Sequence, residues 1–370
     1  MLKHCLCIIL LAQIFSLSAQ TLWTDFSEKN IPSKADAPRY IQPLQYRTVR
    51  LDLAQLQPLL AAAPERFTAA ESEQELVLSL PLPDGGFGRF RIAESPVMAP
   101  ALQAKYPEIR CYTGRGIDDP TATLKCDLTP QGFHAMIRSA RSGTVFIDPY
   151  RPGDLEHCIV YRKSDFQSKK APFSCGVEAS GKDLGLPLDM PELPGDCKFR
   201  RYRLALACTG EYAIFHGATK PLVLAAMNTT MNRVNGLYER DFAVTMQIIA
   251  NNDTLIYLDP ATDGFTNGNG GTMLGQNQTK CNTIIGSANY DIGHVFSTGG
   301  GGVAGLGVVC GNSVKARGVT GLSQPIGDPF DVDYVAHEMG HQFGGNHTFN
   351  SSCGGNRNAA TPLDPAPGTP

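Results

Sequence analysis

Apolar residues recur along the first half of the chain in short alternating runs. Glu75-Leu-Val-Leu-Ser-Leu80, Phe87-Gly-Arg-Phe-Arg-Ile92, Phe133-His-Ala-Met-Ile137 and Gly143-Thr-Val-Phe-Ile147 are the clearest. Period-2 alternation broken by turn residues such as Pro83-Asp-Gly-Gly86 predicts half-buried strands. Residues 20–177 therefore read as a mostly β domain, without a cluster of catalytic residue types. Residues 178–197 are rich in Gly, Pro, Leu and Asp and predict an exposed, cleavable linker.

From residue 198 to 370 the pattern changes. Tyr202–Ala207 predicts a short buried strand, and Val223, Met227, Val234 and Leu237 fall on one face of a helix. Phe242, Val244, Met246 and Ile248 alternate as a strand. A polar Gly/Asn-rich stretch at about 263–282 follows. A second helix is expected to lead to Ile284-Ile285, and a strand to begin at Val295-Phe296. Strands alternating with helices predict an α/β or α+β domain around a twisted sheet.

One segment carries chemistry: His337-Glu-Met-Gly-His341-Gln-Phe-Gly344-Gly-Asn-His347. On a helix, His337 and His341 lie one turn apart on one face. Both imidazoles can then reach one Zn²⁺ at ~2.0–2.1 Å. Gly344 permits the turn that returns His347 as a third nitrogen. Three protein ligands leave a fourth position for water, the catalytic arrangement. Glu338, beside the first ligand, is placed to act as general base and then general acid. Phe330, Val332, Tyr334, Val335 and Phe343 give this helix an apolar face, so its histidines are expected to be buried. A solvated, histidine-rich helix end is the blander reading, and it does not explain that face. Gly300-x-Gly302-x-x-Gly305 formally matches a dinucleotide fingerprint, but strand-like sequence follows it, and the match is discarded.

The pattern H-E-x-x-H-x-x-G-x-x-H resembles the zinc helix of the metzincin peptidases. The flanking sequence resembles their reprolysin (adamalysin-type) branch, particularly secreted bacterial members, over about residues 198–353. Tyr202–Ala207 is similar to that family's first strand, and Met227–Tyr238 to its first helix. Asp291-Ile-Gly-His294 and Gly302-Val-Ala-Gly-Leu-Gly307 are similar to the segment forming the edge strand above the cleft. The resemblance implies one catalytic zinc on His337, His341 and His347, with Glu338 as catalytic base. It also implies an extended substrate held along Gly302, Val303, Ala304, Gly305, Leu306 and Gly307. Relatives often bind calcium, but no calcium-loop pattern is present. Thr348 stands where adamalysins usually have Asp. The family's Met-turn downstream of the third histidine has no counterpart before Pro370, so the catalytic domain is expected to be incomplete at its C-terminal end. Propeptides of these families carry an inhibitory cysteine in a Cys-Gly context. Cys175-Gly176 fits that role as a latency switch, and a disulfide to Cys158 or Cys197 is the competing reading. His294 is expected to be a core or supporting histidine and not a ligand.

Composition narrows the setting. Hydrophobic residues make up 42% and charged residues 18% of the 370, and the net charge of −3 points away from nucleic-acid partners. Residues 1–19 read as a signal peptide: Lys3, an apolar run from Leu6 to Leu17, and small residues ending at Ala19. That run is too short to span a bilayer. The expectation is a secreted zinc endopeptidase precursor that cleaves protein or peptide substrates and depends on an activating protease. The second reading is a truncated, non-catalytic fragment or pseudopeptidase that binds proteins. Cys5 and Cys7 lie in the leader, leaving nine of eleven cysteines, most of them expected to pair in an oxidising compartment. Asn228, Asn252, Asn277, Asn346 and Asn350 begin Asn-x-Ser/Thr sequences.

Overall fold

The computed structural model describes residues 22–31, 38–166, 175–178 and 196–347. The expected signal peptide, most of the expected linker, and Thr348, Asn350 and Cys353 lie outside them. The described strands form two sheets. The first is an antiparallel meander of β1 (Trp23–Asp25), β2 (Arg47–Leu51), β3 (Leu76–Pro81), β4 (Phe87–Glu94), β5 (Arg110–Gly116), β6 (Thr123–Thr129), β7 (Gly132–Ser139), β8 (Gly143–Pro149) and β9 (His157–Arg162). Its order is β1-β2-β9-β8-β7-β6-β5-β4-β3. The sheet curls until its two edges meet: the Trp23 indole in β1 donates to the Ser79 carbonyl in β3 at 3.0 Å. Inward-facing Val49, Leu78, Phe90, Leu124, Phe133, Ile147 and Val160 form its core, plugged by Leu56 and Leu60 of helix α1 (Leu53–Ala61). Shorter helices α2 (Ala69–Glu73) and α3 (Pro100–Lys105) occupy its loops.

The second sheet contains β10 (Cys175–Glu178), β11 (Arg200–Cys208), β12 (Val244–Ile248), β13 (Ile292–Ser297), β14 (Gly302–Gly305) and β15 (Gly318–Gly321), in the order β10-β14-β15-β13-β11-β12. β12, β11, β13 and β15 run parallel, and β14 is antiparallel to β15. Helices α4 (Gly210–Phe215), α5 (Lys220–Phe242) and α6 (Gly270–Lys280) supply the crossovers. The mixed α+β architecture agrees with the sequence expectation. The helix expected to lead to Ile284-Ile285 is α6 with the wide turn Cys281–Ile285 that follows it, and it begins inside the polar stretch, at Gly270. Asn269 caps α6 by accepting from the Thr272 amide, and Met273 and Leu274 give it just enough apolar surface to bury.

Helix α5 lies between the sheets. Val223, Met227, Met231 and Val234 pack toward β11 and β12. Its other face is polar yet buried beneath the first sheet. Thr229 donates to Asp127 at 2.8 Å, and the Asn232 amide to the Cys126 carbonyl at 2.9 Å. Arg233 bridges Asp148 of β8 and Asp331. Gly236 makes the close approach feasible, since a Cβ there would lie 2.8 Å from Lys125 Cγ. The described Cys111, Cys126, Cys158, Cys208, Cys281 and Cys310 carry free thiols, contrary to the pairing expected from composition. All but Cys310 are buried. On adjacent strands, Cys111 and Cys126 even point into different cores, so no bond between them can form.

Candidate metal centre

The histidine segment begins at Gly327, whose φ of +75° starts a helical stretch after Ile326. One α turn (α7, Asp328–Phe330) passes into a wide π-type segment at Asp331–Ala336 and then into α8 (His337–Gln342). Such wide turns are frequent at functional sites. Of the apolar face expected of this helix, Phe330, Tyr334 and Val335 are buried while Val332 and Phe343 are half-buried, and Met339 adds to the buried side. Gly344, at φ +100°, ends it and sends the chain back toward His347.

Three imidazoles converge there. The Nε2 atoms of His337 and His341 are 2.9 Å apart, those of His341 and His347 3.1 Å, and those of His337 and His347 3.3 Å. Cys175 joins them from β10, its Sγ 3.5 Å from His341 Nε2. The four ligand atoms all lie within 4.8 Å of one another. Two nitrogens bound to Zn²⁺ at ~2.0–2.1 Å in tetrahedral geometry stand about 3.3 Å apart, and a nitrogen and a sulfur at ~2.3 Å about 3.6 Å. The three nitrogen spacings and the sulfur's 3.5 Å from His341 Nε2 are close to that geometry, so the residues suit the metal. His341 Nδ1 donates to the Gly345 carbonyl at 2.6 Å, which fixes the tautomer and leaves Nε2 for the ion. Burial, with the neighbouring imidazoles, pushes His337 down to about 3. Burial also pushes His341 down to about 4. Both rings are thus neutral ligands at ordinary pH.

Glu338 is completely buried beside this cluster, and neither carboxylate oxygen has a hydrogen-bond partner. Burial raises its pKa to about 8; the nearby Cys175 thiol opposes the shift without ordinary hydrogen-bond geometry. The slot that receives the carboxylate is open because residue 302 is glycine. A Cβ there would lie 2.0 Å from Glu338 Oε1.

The edge strand is shorter than the sequence suggested. β14 covers Gly302–Gly305, while Leu306 and Gly307 leave it, and the Gly307 amide donates to the His341 carbonyl at 2.9 Å. Nor is its outer side open: β10 pairs with it in parallel, Cys175 opposite Gly302 and Glu178 opposite Gly305. The Cys175 thiol is thus delivered to the histidines by the strand that covers β14. His294 is outside the ligand group and fully buried, hydrogen-bonded to Gln342 and Thr320. Asn228, Asn252 and Asn277 are buried and hydrogen-bonded, so their Asn-x-Thr sequences are not available to glycosylation in the folded protein. Sequence reasoning missed Gln342, Thr320 and Arg233. Only His294, in the apolar run Ile292-Gly-His-Val-Phe296, hinted at the first two.

Residues 224–348 match the family described as metallo-peptidase family M12B, reprolysin-like. This interval runs from α5 through the three histidines. No curated protein sequence matches the chain.

Proposed function

The chain carries a metallopeptidase domain of the reprolysin-like M12B family, and from that premise we infer that it is an exported, latent zinc endopeptidase. The observation that carries this reading is the convergence of three imidazole nitrogens, 2.9–3.3 Å apart, and one thiol beside an orphaned carboxylate. In this reading His337, His341 and His347 hold the zinc through Nε2. Bound zinc supplies a polarising centre for a carbonyl and lowers the pKa of a coordinated water. Glu338 takes the proton of the attacking water and returns it to the leaving nitrogen. Its dry slot against Gly302 keeps competing solvent off the carboxylate and gives it the basicity of a group titrating near neutrality. β14 offers backbone amides and carbonyls to an extended peptide.

Latency follows from β10. While it stays paired, the place for a substrate along β14 is taken and the thiol takes the fourth ligand position. Cutting the chain between Glu178 and Asp196 would let β10 withdraw, which assigns an activating protease to that interval. The apolar stretch after Lys3 supports export of the precursor. A protein-binding pseudopeptidase has no evident use for a buried, unpartnered carboxylate, since burying one is costly. Two variants test the reading. Glu338→Gln should keep stoichiometric zinc and lose ~10²–10⁴-fold in peptide hydrolysis after processing. In the uncut chain Cys175→Ala should open the fourth ligand position while β10 still covers β14, read as a shift of the visible spectrum of the Co²⁺-substituted protein on adding azide, which the parent does not show. Full hydrolysis by Glu338→Gln sinks the catalytic assignment; an azide-insensitive Cys175→Ala sinks the thiol's part in latency.

A further inference from the structure

Behind the histidines lies a buried polar chain with one possible direction. Gln342 Nε2 donates to the Gly293 carbonyl at 2.8 Å, so its Oε1 faces His294 Nδ1, also at 2.8 Å. An amide oxygen only accepts, so Nδ1 carries the imidazole proton. His294 Nε2 is then the acceptor for the Thr320 hydroxyl at 2.8 Å. All three side chains are completely buried. The packing that admits them is equally specific: a Cβ on Gly318 would lie 2.3 Å from Gln342 Oε1 and 2.5 Å from His294 Nδ1.

The two ends of this chain land on the reaction centre. Gln342 directly follows His341, and its carbonyl accepts from the Val308 and Val309 amides at 2.9 and 3.2 Å. Thr320 is the cross-strand partner of Gly302, the residue against which the Glu338 carboxylate rests. The last turn of α8 is thereby tied to β13, to β15 and, through β15, to β14. These directional bonds resist sliding of α8 along the central strands more than apolar packing alone does.

We propose that Gln342, His294 and Thr320 are positioning residues: they set the height of α8 against β14, and so the distance of the metal site and Glu338 from a peptide bound there. None of them touches metal or substrate. Loss of an outer partner of this kind typically costs 10–100-fold in metal affinity or activity.

This rests on the peptidase reading, and the experiment separates the two. Thr320→Val removes the hydroxyl and keeps the shape; Thr320→Ser keeps the hydroxyl. Each is made in the full chain, processed, and measured for kcat, KM, the rate of zinc loss to a chelator, and the visible spectrum of the Co²⁺-substituted protein. Thr320→Val is expected to lower kcat by about 10–100-fold with KM changed less than about threefold, to speed metal loss, and to shift the Co²⁺ bands. Thr320→Ser is expected to restore all of these. Gln342→Met, which cuts the chain at its other end, should reproduce Thr320→Val. If Thr320→Val matches the parent in kcat, metal loss and spectrum, or loses only thermal stability, the proposal is overturned while the peptidase reading stands. If the processed parent neither holds zinc nor cleaves peptides, the peptidase reading itself has failed.

Discussion

Gly302→Ala probes the point where the edge strand meets the base. The added Cβ would lie 2.0 Å from Glu338 Oε1, 2.6 Å from Cδ and 3.1 Å from Cγ. Carbon and oxygen approach comfortably to about 3.3 Å, so the carboxylate and strand must separate by roughly 1.3 Å. Neither can move freely. Gly302 is paired with Thr320 in the sheet, and Glu338 is completely buried on a helix whose next turn carries His341. A displacement of that size at a reacting group costs about 10²-fold in rate. The assay is kcat/KM of the processed enzyme on a quenched fluorescent peptide, alongside zinc content and far-UV circular dichroism. A fall near 100-fold with zinc and fold retained is expected, because the overlap involves the carboxylate and not the imidazoles. Gly268→Ala is the control, since a Cβ there meets nothing within 4 Å. Adding Glu338→Asp to Gly302→Ala shortens the side chain by one methylene and should recover part of the loss relative to Gly302→Ala alone. Activity of Gly302→Ala within threefold of the parent would refute the placement of Glu338 against β14.

Two further outcomes concern stability. Arg233 is buried between Asp148 and Asp331, so Arg233→Met leaves two buried carboxylates without their cation and should cost roughly 3–5 kcal/mol in denaturant unfolding. Arg233→Lys should recover only part, because an ammonium lacks the fork that reaches both; a loss below about 1 kcal/mol for Arg233→Met would discredit the bridge. Acid should also weaken the fold. Burial pushes His216 down to about 3 and His294 down to about 4, against 6.5 for an unburied imidazole. Between those limits the unfolded chain binds more protons than the folded one, so stability falls as pH drops below 6.5. Asp328 acts oppositely: burial raises it to about 6 from 3.8, so in that window the folded state holds the extra proton. Without metal, His337 and His341, held down to about 3 and 4, act like the other two histidines, and Glu338, raised to about 8, acts like Asp328. The four imidazoles together outweigh the two carboxylates, and equilibrium unfolding of the metal-free protein should show lower stability at pH 5 than at pH 7. Equal or greater stability at pH 5 would contradict the neutral, buried state of these rings.

What the sequence disclosed depended on how far apart in the chain the interacting groups lie. The convergence of His337, His341 and His347 was readable because they sit on one helix and the turn after it, where spacing alone fixes which side chains share a face. The two-part architecture was readable from the change in period near residue 198. The helix before Ile284-Ile285 was readable too, but not its start at Gly270, because a cap and side-chain bonds hold it there where few apolar residues do. Asn277 donates to the Ala316 carbonyl at 2.7 Å and Gln278 accepts from the Ala316 amide at 2.7 Å. Those partners are nearly forty residues away. Cysteine count misled for a related reason: pairing depends on where sulfurs meet in space, and these thiols are distributed among separate core elements.

The same distinction explains α5. Val223, Met227, Val234 and Leu237 announced a helix with one apolar face, and off that face lie Asn228, Thr229, Asn232 and Arg233. In the structure all of them are buried. The face is polar because its cover is a β-sheet whose outward residues there are Lys125, Asp127 and Asp148, and buried polar groups must be matched by polar partners. An interface built in this way differs from a domain core. Its side chains can exchange their partners for water when the sheets separate, at a far smaller loss than an apolar face would suffer. The residues Val97, Met98 and Leu102, which pack on Met246 and Ile248, are the counterweight, since they tie the first sheet to the catalytic core by apolar burial. The withdrawal of β10 proposed for activation therefore needs far less disruption than withdrawal of the whole N-terminal sheet. That strand makes its described pairing with β14 alone, while the sheet before it is held by a shared core and buried ions.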